Sequence, residues 1–316
     1  MILPGRLLVV LSAFATGCDA GAVVDIGDAR PAGYRFGTPR LLAELDVGFN
    51  NENPTLTADL RELYFNSSHG GETGSDVWVA RRDSAADPFG APVLVAGLDT
   101  ISYEGNPAIS LDGLSLYFGS DRDSGAGDID IWGTSRATRT EPWSVPENIG
   151  ALNSPAKDLP RPPGQHGLVM PLSSKPGAVY QTFLAARPST GAPFGKPVLV
   201  SELAFTDRTT VDGFLTDDGL TLFYSSSPLQ YPADAGPRPG DASANSIDGG
   251  PVPSADLFVA MRRSTTEEFS AKFPLDDLNT SGDERDPWLT PDGKTLYFTS
   301  DRDGALSIYT AAVKPR

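Results

Sequence analysis

Acidic and amide side chains recur at one position of an internal repeat, and they are the residues of this sequence best suited to bind a ligand. These residues are Asn53, Asn106, Asp212 and Asp286, with Glu104 and Glu284 two positions before two of them. Carboxylate and amide oxygens that converge could form an acidic funnel for a sugar, a cationic peptide or a metal ion. The same residue types also cap turns through local hydrogen bonds, so a structural role is the competing interpretation.

Two loops carry an acid directly before a base. The pairs Asp121-Arg122 and Asp301-Arg302 occupy the same position in two repeats, and we include all four residues in the candidate ligand-binding set. The run from Asp121 to Asp130 begins with the Asp-x-Asp-x-Gly spacing of a calcium loop, which supplies six to eight oxygens to Ca²⁺. It lacks the closing glutamate and includes a positive charge, so we predict no cofactor, with calcium as the minor alternative.

The remaining inventory argues against most enzyme classes. The chain has two histidines and one cysteine, too few for a zinc site, and no nucleophile motif accompanies either histidine. We therefore predict no catalytic residues. The rival is a glycoside hydrolase, which needs two channel carboxylates about 5–5.5 Å or about 6.5–9.5 Å apart. An excess of 41 acidic over 25 basic residues, a formal charge of −16, disfavours binding to nucleic acid.

The elements that must position these side chains are short strands. A fifteen-residue block starts at positions 53, 106, 159, 212 and 286, and each copy holds a strand, a tight turn and a strongly apolar strand. Asp-Gly pairs at 112–113, 218–219 and 292–293 suit the positive φ of a hairpin turn. The continuous apolar strands, such as Leu116-Tyr117-Phe118, predict burial on both faces. The copy at Leu159 is degenerate: Gln165-His166 replaces Asp-Gly, and we expect Pro171 to interrupt its second strand.

Each repeat continues into a third strand and a proline-bounded fourth element. We assign third strands from Asp76, Asp130, Ala178, Asp256 and Ser307, and outermost strands at 88–92, 142–146 and 193–197, with a weaker copy around Phe269. The last repeat stops after three strands, while residues 34–39 resemble a fourth. We predict an all-β fold: a β-propeller of five four-stranded blades spanning residues 34–316, in which the N-terminal strand closes the C-terminal blade. Residues 228–254, rich in Pro, Gly, Ala and Asp, form an insert that we expect to be a mobile loop.

The first residues indicate export. Arg6 precedes a short apolar run, Leu7–Phe14, and the segment ends in Ala15-Thr16-Gly17-Cys18. Eight apolar residues cannot span a hydrocarbon core of about 30 Å, so residues 1–17 are interpreted as a signal peptide. The cysteine position is similar to a bacterial lipobox, although Ala15 stands where leucine is usual. We predict lipidation of Cys18, with an ordinary signal peptide and a free thiol as the alternative, and a flexible tether over residues 18–33.

The strings NPAISLDGLSLYFGSDRD, DPWLTPDGKTLYFTSDRDG and DIDIWGTSRA resemble the WD-like repeats of TolB-type propellers. The resemblance covers residues 34–314. It implies a periplasmic protein that works through protein contacts, although the N-terminal domain of that family has no counterpart here. We therefore expect a monomeric, non-enzymatic envelope lipoprotein that binds a protein or a polysaccharide on the face that bears the interblade loops.

Overall fold

The computed structural model describes residues 34–68, 74–229 and 254–315, which form five four-stranded antiparallel sheets of a propeller. From the channel outwards, blade one contains β2 (Asn51–Leu56), β3 (Glu62–Ser67), β4 (Asp76–Arg81) and β5 (Val93–Leu94). Blade two contains β6 (Glu104–Ile109), β7 (Ser115–Ser120), β8 (Asp130–Ser135) and β9 (Glu147–Asn148). Blade three contains β10 (Asp158–Pro160), β11 (Val169–Ser174), β12 (Gln181–Ala186) and β13 (Val198–Leu199). Blade four contains β14 (Arg208–Leu215), β15 (Thr221–Pro228), β16 (Asp256–Met261) and β17 (Ala271–Pro274). Blade five contains β18 (Glu284–Leu289), β19 (Thr295–Ser300), β20 (Ser307–Ala312) and β1 (Arg40–Leu41). The predicted five-bladed fold is confirmed.

The predicted closure of the C-terminal blade by an N-terminal strand is also confirmed, but that strand is Arg40–Leu41 and not residues 34–39. β1 pairs antiparallel with β20, and an isolated bridge joins Phe36 to Val313. Phe36 is fully buried in the cluster between blades four and five. The carboxylate of Asp277 accepts hydrogen bonds from the backbone N–H of Phe36 and, at 2.7 Å, from Nε of Arg35. Blade five is therefore built from the segment around β1 together with the last three strands, and this pairing closes the propeller.

The apolar second strands pack between neighbouring blades, as predicted. In β3, Leu63 and Phe65 join the cluster shared with blade five, while Tyr64 joins the cluster shared with blade two. All three side chains are fully buried. Because both faces of the strand are covered, no polar residue alternates along it.

Three expectations about blade edges and blade three were wrong. The proline-bounded motifs lie just before the outermost strands, which begin at residues 93, 147 and 198. The third strand of blade three begins at Gln181 rather than Ala178. Pro171 does not interrupt β11, because it pairs with Leu184 of β12 and its carbonyl accepts a hydrogen bond from the backbone N–H of Arg161.

A recurring arginine–aromatic contact explains the proline-bounded motifs. At the end of four third strands an arginine guanidinium stacks on the aromatic residue of the motif, at 4.2–4.5 Å from the ring centroid: Arg82 on Phe89, Arg136 on Trp143, Arg187 on Phe194 and Arg262 on Phe269. Each Nε donates to a carbonyl of its own blade's hairpin. Blade five replaces the arginine with Val313, which packs against Phe36. The motif thus fixes the blade rim and is not a strand.

Residues 1–33, 69–73, 230–253 and 316 lie outside the described residues. The predictions of a signal peptide, of lipidation at Cys18, of a tether and of a mobile insert therefore stay predictions. The insert does fall between the second and third strands of blade four. Within the described ranges there is no helix with the length and hydrophobicity that a bilayer crossing requires.

Candidate functional site

The four repeated residues of the inner strands adopt left-handed backbone conformations. Asn53, Asn106, Asp212 and Asp286 have φ between 51° and 59°, and in each blade they form a β-bulge opposite the second strand. Asn and Asp tolerate this conformation better than other residues with a Cβ atom, which explains why the repeat keeps these two types there. All four are buried around the central channel, and we call them the inner ring.

The inner ring is pinned by hydrogen bonds between neighbouring blades. The backbone N–H of Asn106 donates to Asn66 Oδ1, that of Asp212 to Ser173 Oγ and that of Asp286 to Ser225 Oγ. In each case the acceptor comes from the second strand of the preceding blade. The repeated polarity at these positions is therefore largely structural, as the competing interpretation of the sequence required.

The junction between blades five and one departs from this pattern. Thr299 occupies the acceptor position, yet the backbone N–H of Asn53 donates instead to Asp286 Oδ2 at 3.1 Å. Thr299 Oγ1 is buried without a hydrogen-bond partner among the described residues. Asn53 Oδ1 in turn accepts a hydrogen bond from Asn106 Nδ2 at 2.9 Å. The inner ring is thus a connected network across blades five, one and two.

Blade three contributes a base in place of an inner-ring residue. Its inner strand has no bulge, because Pro160 pairs with Leu172 where other blades place two residues, so aligning Leu159 with Asn53 was wrong by one position. Arg161, which is 1% exposed, reaches across the channel. Its Nη1 donates to Asn53 Oδ1 at 2.7 Å and lies 3.7 Å from Asp286 Oδ1. Its Nη2 donates to the carbonyl of Pro287 at 3.3 Å, so the guanidinium links blade three to blades one and five.

Glu104 and Glu284 do not line the channel. Both are 0% exposed, and each is held inside its blade by the arginine of the Asp-Arg loop: Arg122 Nη2 lies 2.8 Å from Glu104 Oε1, and Arg302 Nη2 lies 3.3 Å from Glu284 Oε1. The same glutamate oxygens also accept hydrogen bonds from threonine and serine hydroxyls. These four candidates form two equivalent internal ion pairs rather than one converging site.

Asp121 and Asp301 are engaged by the backbone. Asp121 Oδ1 accepts from the N–H of Tyr103 at 2.8 Å, and Asp301 Oδ1 accepts from the N–H of Asp283 at 2.7 Å. In the calcium-like run, Asp130 accepts from the N–H groups of Ala126 and Gly127. Backbone donors thus already occupy one oxygen of Asp121 and both oxygens of Asp130. Across the described ranges, no three or more histidine, cysteine or acidic side chains are arranged to hold a metal ion.

Side chains that the repeat does not share join the inner-ring residues Asp212 and Asp286 at the channel opening on the face that bears the interblade loops, which we call the entry face. This mouth cluster consists of Glu52, Tyr103, Asp212, Arg285 and Asp286. Glu52 Oε2 lies 3.8 Å from Arg285 Nη1, and the two side chains are 23% and 26% exposed. The Tyr103 hydroxyl donates to Asn106 Oδ1 at 3.1 Å. Its ring lies over Gly105, where a Cβ atom would meet the hydroxyl at 2.0 Å.

Three of these residues were missed at the sequence level. Glu52 and Arg285 occupy the position that other blades fill with Gly105, Leu159 or Val211. The available signal in the sequence is a charged residue at a repeat position that is otherwise apolar. A comparison of the residues that the copies share does not reveal this signal. Tyr103 lies just outside the repeated block and carries no comparable signal.

Burial changes the protonation of the mouth cluster. Burial, together with the nearby Asp286 carboxylate, raises the pKa of Asp212 to about 7, although Arg161, Arg285 and a hydrogen bond from Ser225 oppose the shift. Burial also raises the pKa of Glu52, which Arg285 offsets only in part. The pKa of Tyr103 is raised by burial and by the surrounding acids, beginning with Glu52. The acids of the mouth cluster therefore keep their protons to a higher pH than exposed carboxyl groups do.

The histidine of the blade-three turn behaves as predicted. His166 lies in the hairpin turn with an 83% exposed side chain, and its Nδ1 is 2.6 Å from Asp217 Oδ2 of the adjacent blade. Both residues lie on the hairpin face, at the end of the propeller opposite the entry face. His69 lies outside the described residues.

Comparison with known proteins supports the fold alone. No protein-family model matches the sequence, and no curated protein matches it. Similar solved structures include TolB from Acinetobacter baumannii, with 14% identity and a TM-score of 0.49, covering 86% of this chain and 56% of that one. They also include the α-L-arabinofuranosidase PaAbf62A from Podospora anserina (10% identity, TM-score 0.53, 89% and 97% covered) and a protein of unknown function from Dyadobacter fermentans (12%, 0.53, 90% and 100%). The chain spans little more than half of that TolB chain, and at these identities it is shown to be a five-bladed β-propeller and nothing narrower.

Proposed function

We propose that this chain is a non-enzymatic binding propeller of the bacterial cell envelope, which takes a protein or a glycan at its mouth cluster. The observation that carries the proposal is the convergence of Glu52, Arg285 and Tyr103, none of which serves the repeat, at one partly exposed opening. Residues retained for the repeat satisfy one another. These three place a charged pair and an aromatic ring at the opening of a rigid frame, which is where recognition resides in scaffold proteins.

The base of the mouth cluster is closed, so a ligand can approach the cluster only from the entry face. Arg161 lies across the channel beneath it and is bonded to blades one and five. The inner ring around it is fully hydrogen-bonded between blades. Such a frame holds the exposed side chains in place without an entropic cost on binding.

We further propose that the protein is exported and lipid-anchored through Cys18, which would place the propeller at the outer face of a membrane. The support is the short apolar run that ends in Ala15-Thr16-Gly17-Cys18. The excess of acidic residues suits a protein that stays detached from anionic lipid except at its anchor.

In vivo photo-cross-linking tests the binding function. A photoreactive residue at position 49, on the loop before β2, should give discrete protein or glycan adducts. The same residue at position 83, on the hairpin face, should give none. Adding Glu52→Gln and Asp212→Asn to the position-49 variant should abolish the adducts. Equal adducts from both positions, or no adduct from position 49, would contradict the proposal.

A glycoside hydrolase is the second candidate, and the pKa of Asp212 favours it. A carboxyl group that holds its proton near pH 7 beside ionised carboxylates has the character of a general acid. The decisive assay is release of nitrophenol from a panel of aryl glycosides between pH 5 and pH 8. Turnover by the native chain that Asp212→Asn abolishes would establish the enzyme. Equal rates for the native and variant chains would reject it.

A further inference from the structure

Two large apolar side chains stand exposed on the loops that flank blade one on the entry face. Phe49, before β2, is 51% exposed, and Ile101, before β6, is 93% exposed. The loop of Phe49 leads directly to Glu52, and the loop of Ile101 leads directly to Tyr103. Single exposed apolar residues are ordinary, but two that bracket a polar opening have the composition of a protein interface.

The opening between them carries uncompensated negative charge. Its carboxylates are those of Glu52, Asp212, Asp283 and Asp286, and its guanidiniums are those of Arg161 and Arg285. The geometry accounts for both bases: Arg285 is shared between Asp283 and Glu52, and Arg161 is bonded to Asn53 beside Asp286. Once Asp212 ionises, above about pH 7, four acids therefore face two bases. Charge complementarity favours a cation and disfavours an anionic lipid or a nucleic acid.

The same face already holds a cation of the chain itself. Lys175 Nζ lies 5.4 Å from the centroid of the Tyr180 ring. The Tyr180 side chain is one of the groups that raise the pKa of the Tyr103 hydroxyl. An ammonium group over an aromatic ring is a favourable arrangement. The aromatic and acidic side chains at this opening can thus accommodate a lysine side chain.

We propose that the entry face of blade one docks a basic segment of a partner protein, in which a lysine or arginine enters the mouth cluster and apolar neighbours pack on Phe49 and Ile101. The inference rests on the proposed binding function and narrows it to a protein partner. A charged anchor in a desolvated centre with apolar contacts around it is the usual anatomy of an interface hot spot.

Fluorescence anisotropy with the full chain tests this inference. The probes are a labelled nonapeptide of alternating leucine and lysine and two analogues, with glutamate for lysine and with serine for leucine. The first peptide should bind, and its affinity should fall about fivefold between 50 and 300 mM salt. Glu52→Gln combined with Asp212→Asn should weaken it about tenfold, and Phe49→Ser combined with Ile101→Ser about fivefold. Melting curves verify that the variants are folded. If the variant with both Glu52→Gln and Asp212→Asn does not fold, Glu52→Gln alone replaces it in the binding assay.

The matched controls are Asp83→Asn and Val145→Ser, which remove an exposed acid and an exposed apolar side chain away from the entry face; both should bind within twofold of the native chain. Equal binding of the glutamate analogue, or native affinity in both double variants, overturns the inference. Binding of cellotriose or chitotriose with no peptide binding would overturn it and leave the proposed function standing. Failure of every probe, together with absent cross-links at position 49, would overturn both.

Discussion

The Nη1 atom of Arg161 donates a 2.7 Å hydrogen bond to Oδ1 of Asn53, two inner strands away around the channel. The same nitrogen lies 3.7 Å from a carboxylate oxygen of Asp286. One buried guanidinium therefore joins three blades and compensates a buried acid. Removing one partner of a buried ion pair is far more costly than removing both, because the remaining charge has no compensation.

Arg161→Met should consequently lower the free energy of unfolding by about 3 kcal/mol in urea denaturation. Combining it with Asp286→Asn should recover at least half of that loss, since the asparagine needs no counter-charge and is already the inner-ring residue of blades one and two. Arg61→Met, at an exposed position, is the control and should change stability by less than about 0.5 kcal/mol. Strict additivity of the two inner substitutions would show that the pair is not coupled.

Asp212→Asn should make stability less sensitive to pH. The folded-state pKa of Asp212, about 7, is above its ordinary value of 3.8, so the folded protein binds this proton more tightly than the unfolded chain does. Its contribution is fully present below about pH 4, declines between about pH 4 and pH 7, and stays lost above.

Unfolding free energies measured from pH 4 to pH 8 should therefore show the variant gaining on the native chain as pH rises, by on the order of 4 kcal/mol at pH 8. Asp218→Asn, in the exposed hairpin of the same blade, provides the comparison and should give a curve parallel to the native one. A parallel curve for Asp212→Asn as well would refute the raised pKa.

Phe36→Ala should destabilise the whole propeller although residue 36 lies near one end of the chain. The ring is fully buried between blades four and five, and its loss leaves a cavity that costs about 3 kcal/mol. Val145→Ala, at an exposed site, should be nearly neutral. Deleting residues 19–33 should also leave the melting temperature unchanged. If deletion through Arg40 were equally harmless, the N-terminal strand would have no role in closure.

Cys18→Ser should move the protein from the membrane to the soluble envelope fraction, because a thioether-linked lipid requires the thiol. Fractionation with intact-mass analysis measures this directly. Ala15→Leu, which restores the usual lipobox residue, should preserve membrane attachment. A native protein whose mass reveals a free thiol would exclude the anchor.

The repeat made the fold predictable, but it favoured the shared inner-ring residues as ligands over the residues that differ between blades. Inner-ring residues recur because four of the five blades have a left-handed bulge and an interblade hydrogen bond at this position, so their recurrence reports on structure. Glu104 and Arg122 looked like separate ligands, since a sequence does not reveal that one blade folds them onto each other. Glu52 and Arg285 differ from their counterparts in other blades, and that difference can be seen in the sequence. The role of Arg161 cannot be predicted from the sequence, because Arg161 reaches across the channel only where the bulge is missing, in blade three.

Closure of blade five has a consequence for the order of assembly. Arg40 pairs with Thr310, so β1, which precedes the other strands of the five blades in the chain, cannot pair until β20 has been made. Until β1 docks, β20 has an open edge. A truncated or stalled chain that lacks β20 would leave β1 unpaired, and a protease that recognises extended segments would cleave it in preference to the finished molecule.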